Sequence, residues 1–216
     1  MLNLRLYRLA FLPAVLALIA AAFSLQPTPS KISSQAVPDP FSGTRVLVQN
    51  RQLAEAFPAR QPGSQGDADL AQLVAKRFKQ ANFTVTQDTF EARTVKGVRQ
   101  LTNVVATKPG VGNGRIVVLA HRDALSNGAA AELAPTSLML ELAARYQTRS
   151  LRRTLMLVSV SGGAGGGFAG AQRFAEREVG KEDVVIAVPN PAGTGSDPPL
   201  VLPWSDKLGL APQQRV

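Results

Sequence analysis

The sequence predicts an α/β fold: a mixed, largely parallel sheet flanked by helices and preceded by one N-terminal hydrophobic helix. Three observations carry this. Apolar runs at residues 116–120, 154–160 and 184–188 read as strands buried on both faces. Helical stretches at 135–146 and 168–178 alternate with them, the pattern of a parallel or mixed sheet wrapped by helices. A charge-free apolar run at 9–25, behind Arg5 and Arg8, stands apart from the rest.

Taken in order, residues 9–25 have the length of a short membrane span or a long signal-peptide core, and Pro13 lies where a helix tolerates it best. Ala20 and Ala22 form an imperfect cleavage site before Phe23. The reading is a membrane anchor through residues 9–25, with cleaved signal as the rival. In both cases the arginines stay in the cytoplasm and the domain is extracytoplasmic. Residues 26–40 are rich in Pro, Ser and Thr and read as a linker, so the α/β domain occupies 41–216. Within it, 42–57 predicts a helix and 58–66 a loop. A second helix follows, capped by Asp67 or Asp69, with Leu70, Leu73, Val74, Arg77 and Phe78 on one face. Residues 83–90 alternate as a half-buried strand should, and 101–107 predicts another, ended by Lys108-Pro-Gly110.

Composition narrows the function classes. Hydrophobic residues at 45% and charged residues at 18% argue for a packed domain. With no cysteine, disulfides, thiolate metal sites and a cysteine nucleophile are excluded. The net charge is +9, yet aromatics are only 6% and none interleave with a basic run, so no nucleic-acid partner is expected.

Ligands in such folds gather at the carboxyl ends of the strands, where His121, Ser161 and Asn190 would meet. His121 is the single histidine of the chain and is followed by Arg122 and Asp123. A histidine with a carboxylate two residues on, at a strand's end, is a common start of a zinc site. Two other chemistries have partial signatures here. Gly165, Gly167 and Gly170 fit Gly-x-Gly-x-x-Gly between a strand and a helix, a nucleotide-binding signature, but Glu182 and Asp183 precede the next strand instead of ending it. Ser159 and Ser161 lack the Gly-x-Ser-x-Gly elbow of a serine hydrolase.

The order of segments from Arg60-Gln-Pro-Gly-Ser64, through Asn103 to Gly110, residues 116–123 with His121 and Asp123, Gly128 to Ala143, and Arg153-Thr-Leu155 resembles the zinc-dependent aminopeptidases, metallopeptidase family 28. The resemblance runs from about Arg60 to Gly193. It implies a zinc-aminopeptidase-like fold and two zinc ions bridged by a carboxylate and a water, with a glutamate as general base. On it, His121 matches a metal ligand and Asp123 the carboxylate that orients it. The bridging aspartate would fall at Ala131, beside Glu132, the two glutamates at Gly163 and Ala164, and another acidic ligand near Asn190. The last histidine would lie beyond Val216, so the resemblance implies a degenerate member, C-terminally truncated, that is either a fragment of a longer protein or left with an open sheet edge.

Paired divalent cations repel strongly and need several carboxylates to coexist. Ala131, Gly163 and Ala164 offer none, and losing the general base alone costs about 10²–10⁴ in rate. The expectation is therefore a membrane-anchored, exported, non-catalytic domain that binds a peptide or protein partner or serves structure. No cofactor is expected; zinc at His121, with Asp123 behind it, is the candidate if one binds. The alternatives are a metal-dependent hydrolase with unconventional ligands and a nucleotide-binding domain through the glycine loop.

Overall fold

The computed structural model describes residues 11–18 and 41–188. The predicted 26–40 linker, Asn190 and everything from Pro189 onward lie outside the described residues. Of the predicted apolar helix at 9–25, residues 11–18 are described, and they are helical. Among the described residues no helix is long and apolar enough to cross a membrane.

Between residues 41 and 188 the order is α1 (Gly43–Ala56), α2 (Gln65–Gln80), β1 (Thr84–Thr94), β2 (Gly97–Lys108), β3 (Arg115–His121), α3 (Ala134–Tyr146), β4 (Thr154–Val160), α4 (Ala169–Glu178) and β5 (Val184–Ala187). The strands form one five-stranded sheet in the order β1-β2-β4-β3-β5. β3 pairs parallel with β4 and with β5, as an α/β crossover requires. β1 pairs antiparallel with β2, and β2 antiparallel with β4. The expectation of a largely parallel sheet is thus corrected: the longest pairing is antiparallel. The reason is local. Thr94 opposes Gly97, leaving only Val95 and Lys96 to turn the chain, and so short a connection can join strands only antiparallel.

Alternation along the central strands divides the core. Leu155 and Leu157 of β4, with Val118 and Ala120 of β3, pack against Leu53 of α1, Leu70, Val74 and Phe78 of α2, and Leu140 of α3. Their neighbours Val117, Met156, Val158 and Val160 face the other way, onto Phe174 of α4. Both faces are covered, which is why these strands are apolar without interruption. β5 departs from that expectation. Val184, Val185 and Ile186 are 45%, 46% and 47% exposed, because among the described residues β5 lies at the sheet's margin and pairs only with β3.

The start of α2 corrects a second expectation. Ser64, not Asp67 or Asp69, caps the helix: its side chain accepts the N–H of Asp67. Asp67 is left free to turn its carboxylate inward, where it is almost wholly buried.

β5 is tied down by one ion pair. Arg115 Nε donates to Asp183 Oδ1 at 2.8 Å, while the other carboxylate oxygen accepts the N–H of Gly180 at 2.7 Å. Arg115 holds the Asp183 carboxyl below its ordinary value. A lowered folded-state pKa contributes stability that is present above the unfolded carboxylate range, near pH 4, and is lost as pH falls through the folded value. Asp183→Asn is expected to flatten the loss of stability below about pH 4, measured by urea unfolding across an acid series. An unchanged acid limb would show that this pair does not hold the strand.

Candidate functional site

The carboxyl ends of β3 and β4 lie side by side, with His121 opposite Val160. β2 runs antiparallel to β4, so the β1–β2 hairpin projects past this same end. Four segments therefore enclose it: the hairpin tip, the loop before α2, the turn after His121, and the glycine-rich loop from Ser161 to Phe168. The positions singled out in the sequence at 121, 123, 163 and 164 do meet here.

Their chemistry differs from that of a metal site. Asp123 is fully buried, and its two oxygens accept the backbone N–H groups of Gly163 at 3.2 Å and Ala164 at 2.8 Å. The carboxylate thus clamps the loop that follows β4. His121 is half-buried, and among the described residues its ring makes no hydrogen bond to Asp123 or any other group. A Cβ at Gly163 would stand 2.6 Å from His121 Cβ and 3.0 Å from its Cγ. The histidine side chain lies against the bare glycine, so a glutamate at 163 would require it to move. Ala131 is exposed on the turn before α3. Glu132 has one carboxylate oxygen buried without a hydrogen-bond partner, and its charge, with that of Asp123, acts on buried Arg60. Among the described residues no group of three or more His, Cys, Asp or Glu side chains could hold a metal ion. Among the described residues, Ala131, Gly163 and Ala164 supply no donor atom for a second zinc ion.

Sequence reasoning missed the polar layer directly beneath. Arg60 and Arg122 are both fully buried. Arg60 donates to the carbonyls of Arg122, Phe57 and Ala129, and so ties the loop before α2 to the turns that follow β3. Burial, opposed by Glu132 and Asp123, holds its guanidinium below the ordinary arginine value. Arg122 reaches the carbonyls of Thr102 and Ser159, and its Nε lies 2.8 Å from Asp67 Oδ1. Asp67 also accepts from Ser161 Oγ and from the N–H of Gly63. Burial pushes the Asp67 carboxyl above its ordinary value, against the opposing pull of Arg122 and Ser161. The available signal was the charged pair Arg122-Asp123 immediately after a buried strand, where surface residues would be an abrupt change.

Part of the glycine loop is likewise satisfied from within. The amides of Gly163 and Ala164 go to Asp123, and those of Ala169 and Gly170 to the carbonyls of Gly162 and Ser161. A Cβ at Gly170 would fall 2.3 Å from the Ser161 carbonyl oxygen and 2.6 Å from Asn103 Oδ1. Gly170 is there for close backbone contact. A nucleotide bound through Gly165, Gly167 and Gly170 would have to use the amides of Gly165 and Gly167, since those of Gly163, Ala164, Ala169 and Gly170 are already engaged.

If Asp123 is the clamp, Asp123→Ala will free the amides of Gly163 and Ala164. Losing charge-assisted bonds to two amides is expected to cost about 1.5–3 kcal/mol and to speed hydrogen exchange at those positions selectively. Unchanged exchange there would contradict the assignment.

No family model matches the chain. A stretch of 114 residues is 32% identical to the glutaminyl-peptide cyclotransferase of Boiga irregularis, covering 47% of this chain and 30% of that one. The glutaminyl cyclase of Fimbriiglobus ruber superposes with a TM-score of 0.58 at 20% identity, over 71% of this chain and 62% of that one. A zinc-dependent exopeptidase, so described provisionally, from Bacteroides vulgatus gives 0.57 at 17% identity, over 69% and 61%. The chain therefore spans under a third of the curated relative and about three fifths of the solved structures. The fold is that shared by glutaminyl cyclases and zinc exopeptidases.

Proposed function

We propose that this chain is a non-catalytic domain on the glutaminyl cyclase and zinc exopeptidase fold, exported and held at a membrane by residues 9–25, that binds a peptide or protein partner. The observation that carries the reading is the use made of Asp123 and Gly163. The carboxylate two residues after His121 is committed to two backbone amides, and His121 itself lies on a glycine where the resemblance to the aminopeptidases would put a glutamate. Among the described residues His121 is then a residual ligand with no carboxylate partners, and Ala131, Gly163 and Ala164 supply no donor for a bridging ion or base. On this reading the chain is a degenerate member of that group.

Purified full chain, supplied with zinc, is expected to hydrolyse no aminoacyl-nitroanilide and to cyclise no N-terminal glutaminyl peptide above the rate in buffer. Turnover abolished by a chelator and restored by zinc would overturn the reading in favour of a hydrolase or cyclase with unconventional ligands.

A further inference from the structure

The sequence holds two Asn-Gly pairs, Asn113-Gly114 and Asn127-Gly128, and the fold treats them differently at one atom. Asparagine before glycine is prone to lose its side-chain amide. The backbone nitrogen that follows can close a ring on the side-chain carbonyl carbon, and glycine has no Cβ to obstruct the approach. The two pairs are otherwise well matched. Both asparagines are exposed, and among the described residues neither side chain makes a hydrogen bond. Both glycines have positive φ, 90° at Gly114 and 70° at Gly128, so a larger residue in either place would be strained. Neither is crowded: a Cβ at Gly128 would meet nothing within 4 Å, and one at Gly114 only Arg153 Nε, at 3.9 Å. Small residues precede both, Gly112 in one case and Ser126 in the other.

The difference lies in the nitrogen that would attack. The N–H of Gly128 donates to the Pro58 carbonyl at 2.8 Å. The N–H of Gly114 donates to no group among the described residues; its carbonyl alone is engaged, accepting the N–H of Thr154 at 3.2 Å. Ring closure at Asn127 must first break a hydrogen bond, through a local opening of the turn after β3, and ring closure at Asn113 need not. One such bond added to a barrier slows a reaction by a factor of roughly 2 to 12.

We propose that Asn113 is a site of spontaneous modification in the folded protein, and that Asn127 is protected from the same reaction. The Gly114 nitrogen gives its proton to solvent base and bonds to the Asn113 side-chain carbonyl carbon. Ammonia leaves with a proton, and water opens the cyclic imide to aspartate or isoaspartate. One water is consumed and one ammonia released, with no oxidant or reductant. The place gives the change a consequence. Asn113 stands in the wall of a cavity of about 700 Å³ that Arg152 and Arg153 also line, at the end of β3 and β4 opposite to His121. The reaction exchanges a neutral amide there for a carboxylate and lowers the net charge of +9 by one. In the isoaspartyl product the main chain also gains a methylene just ahead of β3. The site is thus a one-way change in the charge of that cavity.

The test is incubation of the full chain in detergent, in mildly alkaline buffer, with a parallel sample unfolded in urea, and peptide mapping by mass spectrometry over time. The ratio of conversion at Asn113 to that at Asn127 is expected to be higher in the folded chain than in urea by a factor of about 2 to 12. Unfolding removes the Gly128–Pro58 bond and with it the protection. The converted chain should leave a cation exchanger ahead of the parent, and Asn113→Gln should abolish that early fraction. A folded ratio at or below the ratio in urea overturns the proposal. So does a folded chain that leaves Asn113 intact while the unfolded chain converts it. None of these outcomes touches zinc content, turnover or partner binding, so the non-catalytic reading stands or falls separately.

Discussion

Arg122→Ala is expected to lower stability by about 3–5 kcal/mol, a fall in Tm of roughly 6–20 °C for a domain of this size. The guanidinium is fully buried and answers three separate groups: Asp67 at 2.8 Å, the Ser159 carbonyl at 3.1 Å and the Thr102 carbonyl at 2.6 Å. Removing it leaves a carboxylate inside the protein without its counter-charge, and the two carbonyls without their donor. Asp67 is already strained toward its neutral form by burial, so it will take up a proton in the variant at a higher pH than in the parent. Arg122→Ala should therefore lose less stability at pH 5 than at pH 8. Urea unfolding at the two values checks both points. A loss under about 1 kcal/mol would show that the pair contributes little to the fold.

Gly170→Ala should be nearly as damaging, at about 3 kcal/mol, although it adds one methyl group. That methyl would fall on the Ser161 carbonyl oxygen and on Asn103 Oδ1. Neither can yield cheaply. Asn103 donates through Nδ2 to the Gly170 carbonyl at 2.8 Å and accepts from the Ser161 amide, so it joins β2 to both sides of the glycine loop. The informative control is Gly43→Ala, at the first turn of α1, where a Cβ meets nothing within 4 Å. There alanine should be neutral or slightly stabilising, by about 0.4–1 kcal/mol. Equal effects at the two positions would mean that the loop is not closed as described.

How far the chain was legible follows from which interactions are local. Helices α1, α3 and α4 and strands β3 and β4 were readable to within two residues because their apolar periodicity is set by one sheet and its two faces. β1 and β2 were readable as strands, but their antiparallel attachment depends on the turn at Val95-Lys96, which carries none of the usual hairpin dipeptides. β5 was misjudged because an apolar run does not say how many neighbours the strand will have. At the site, His121 and Asp123 were found from their spacing, and the positions that meet them at 163 and 164 from the family resemblance. The buried layer of Arg60, Asp67, Arg122 and Ser161 was not found. These four residues meet one another across 55 to 94 positions of chain, and charged side chains are usually on the surface.

The central claim is that the His121 end of the sheet holds its own backbone amides where a catalytic relative would hold metal. It is tested most directly by counting zinc in the purified full chain after equilibration with a modest excess of zinc and desalting, by elemental mass spectrometry. Fewer than about 0.2 zinc ions per chain is the predicted result, since structural and catalytic zinc sites survive such treatment. Two zinc ions per chain, both lost on His121→Ala, would contradict the account.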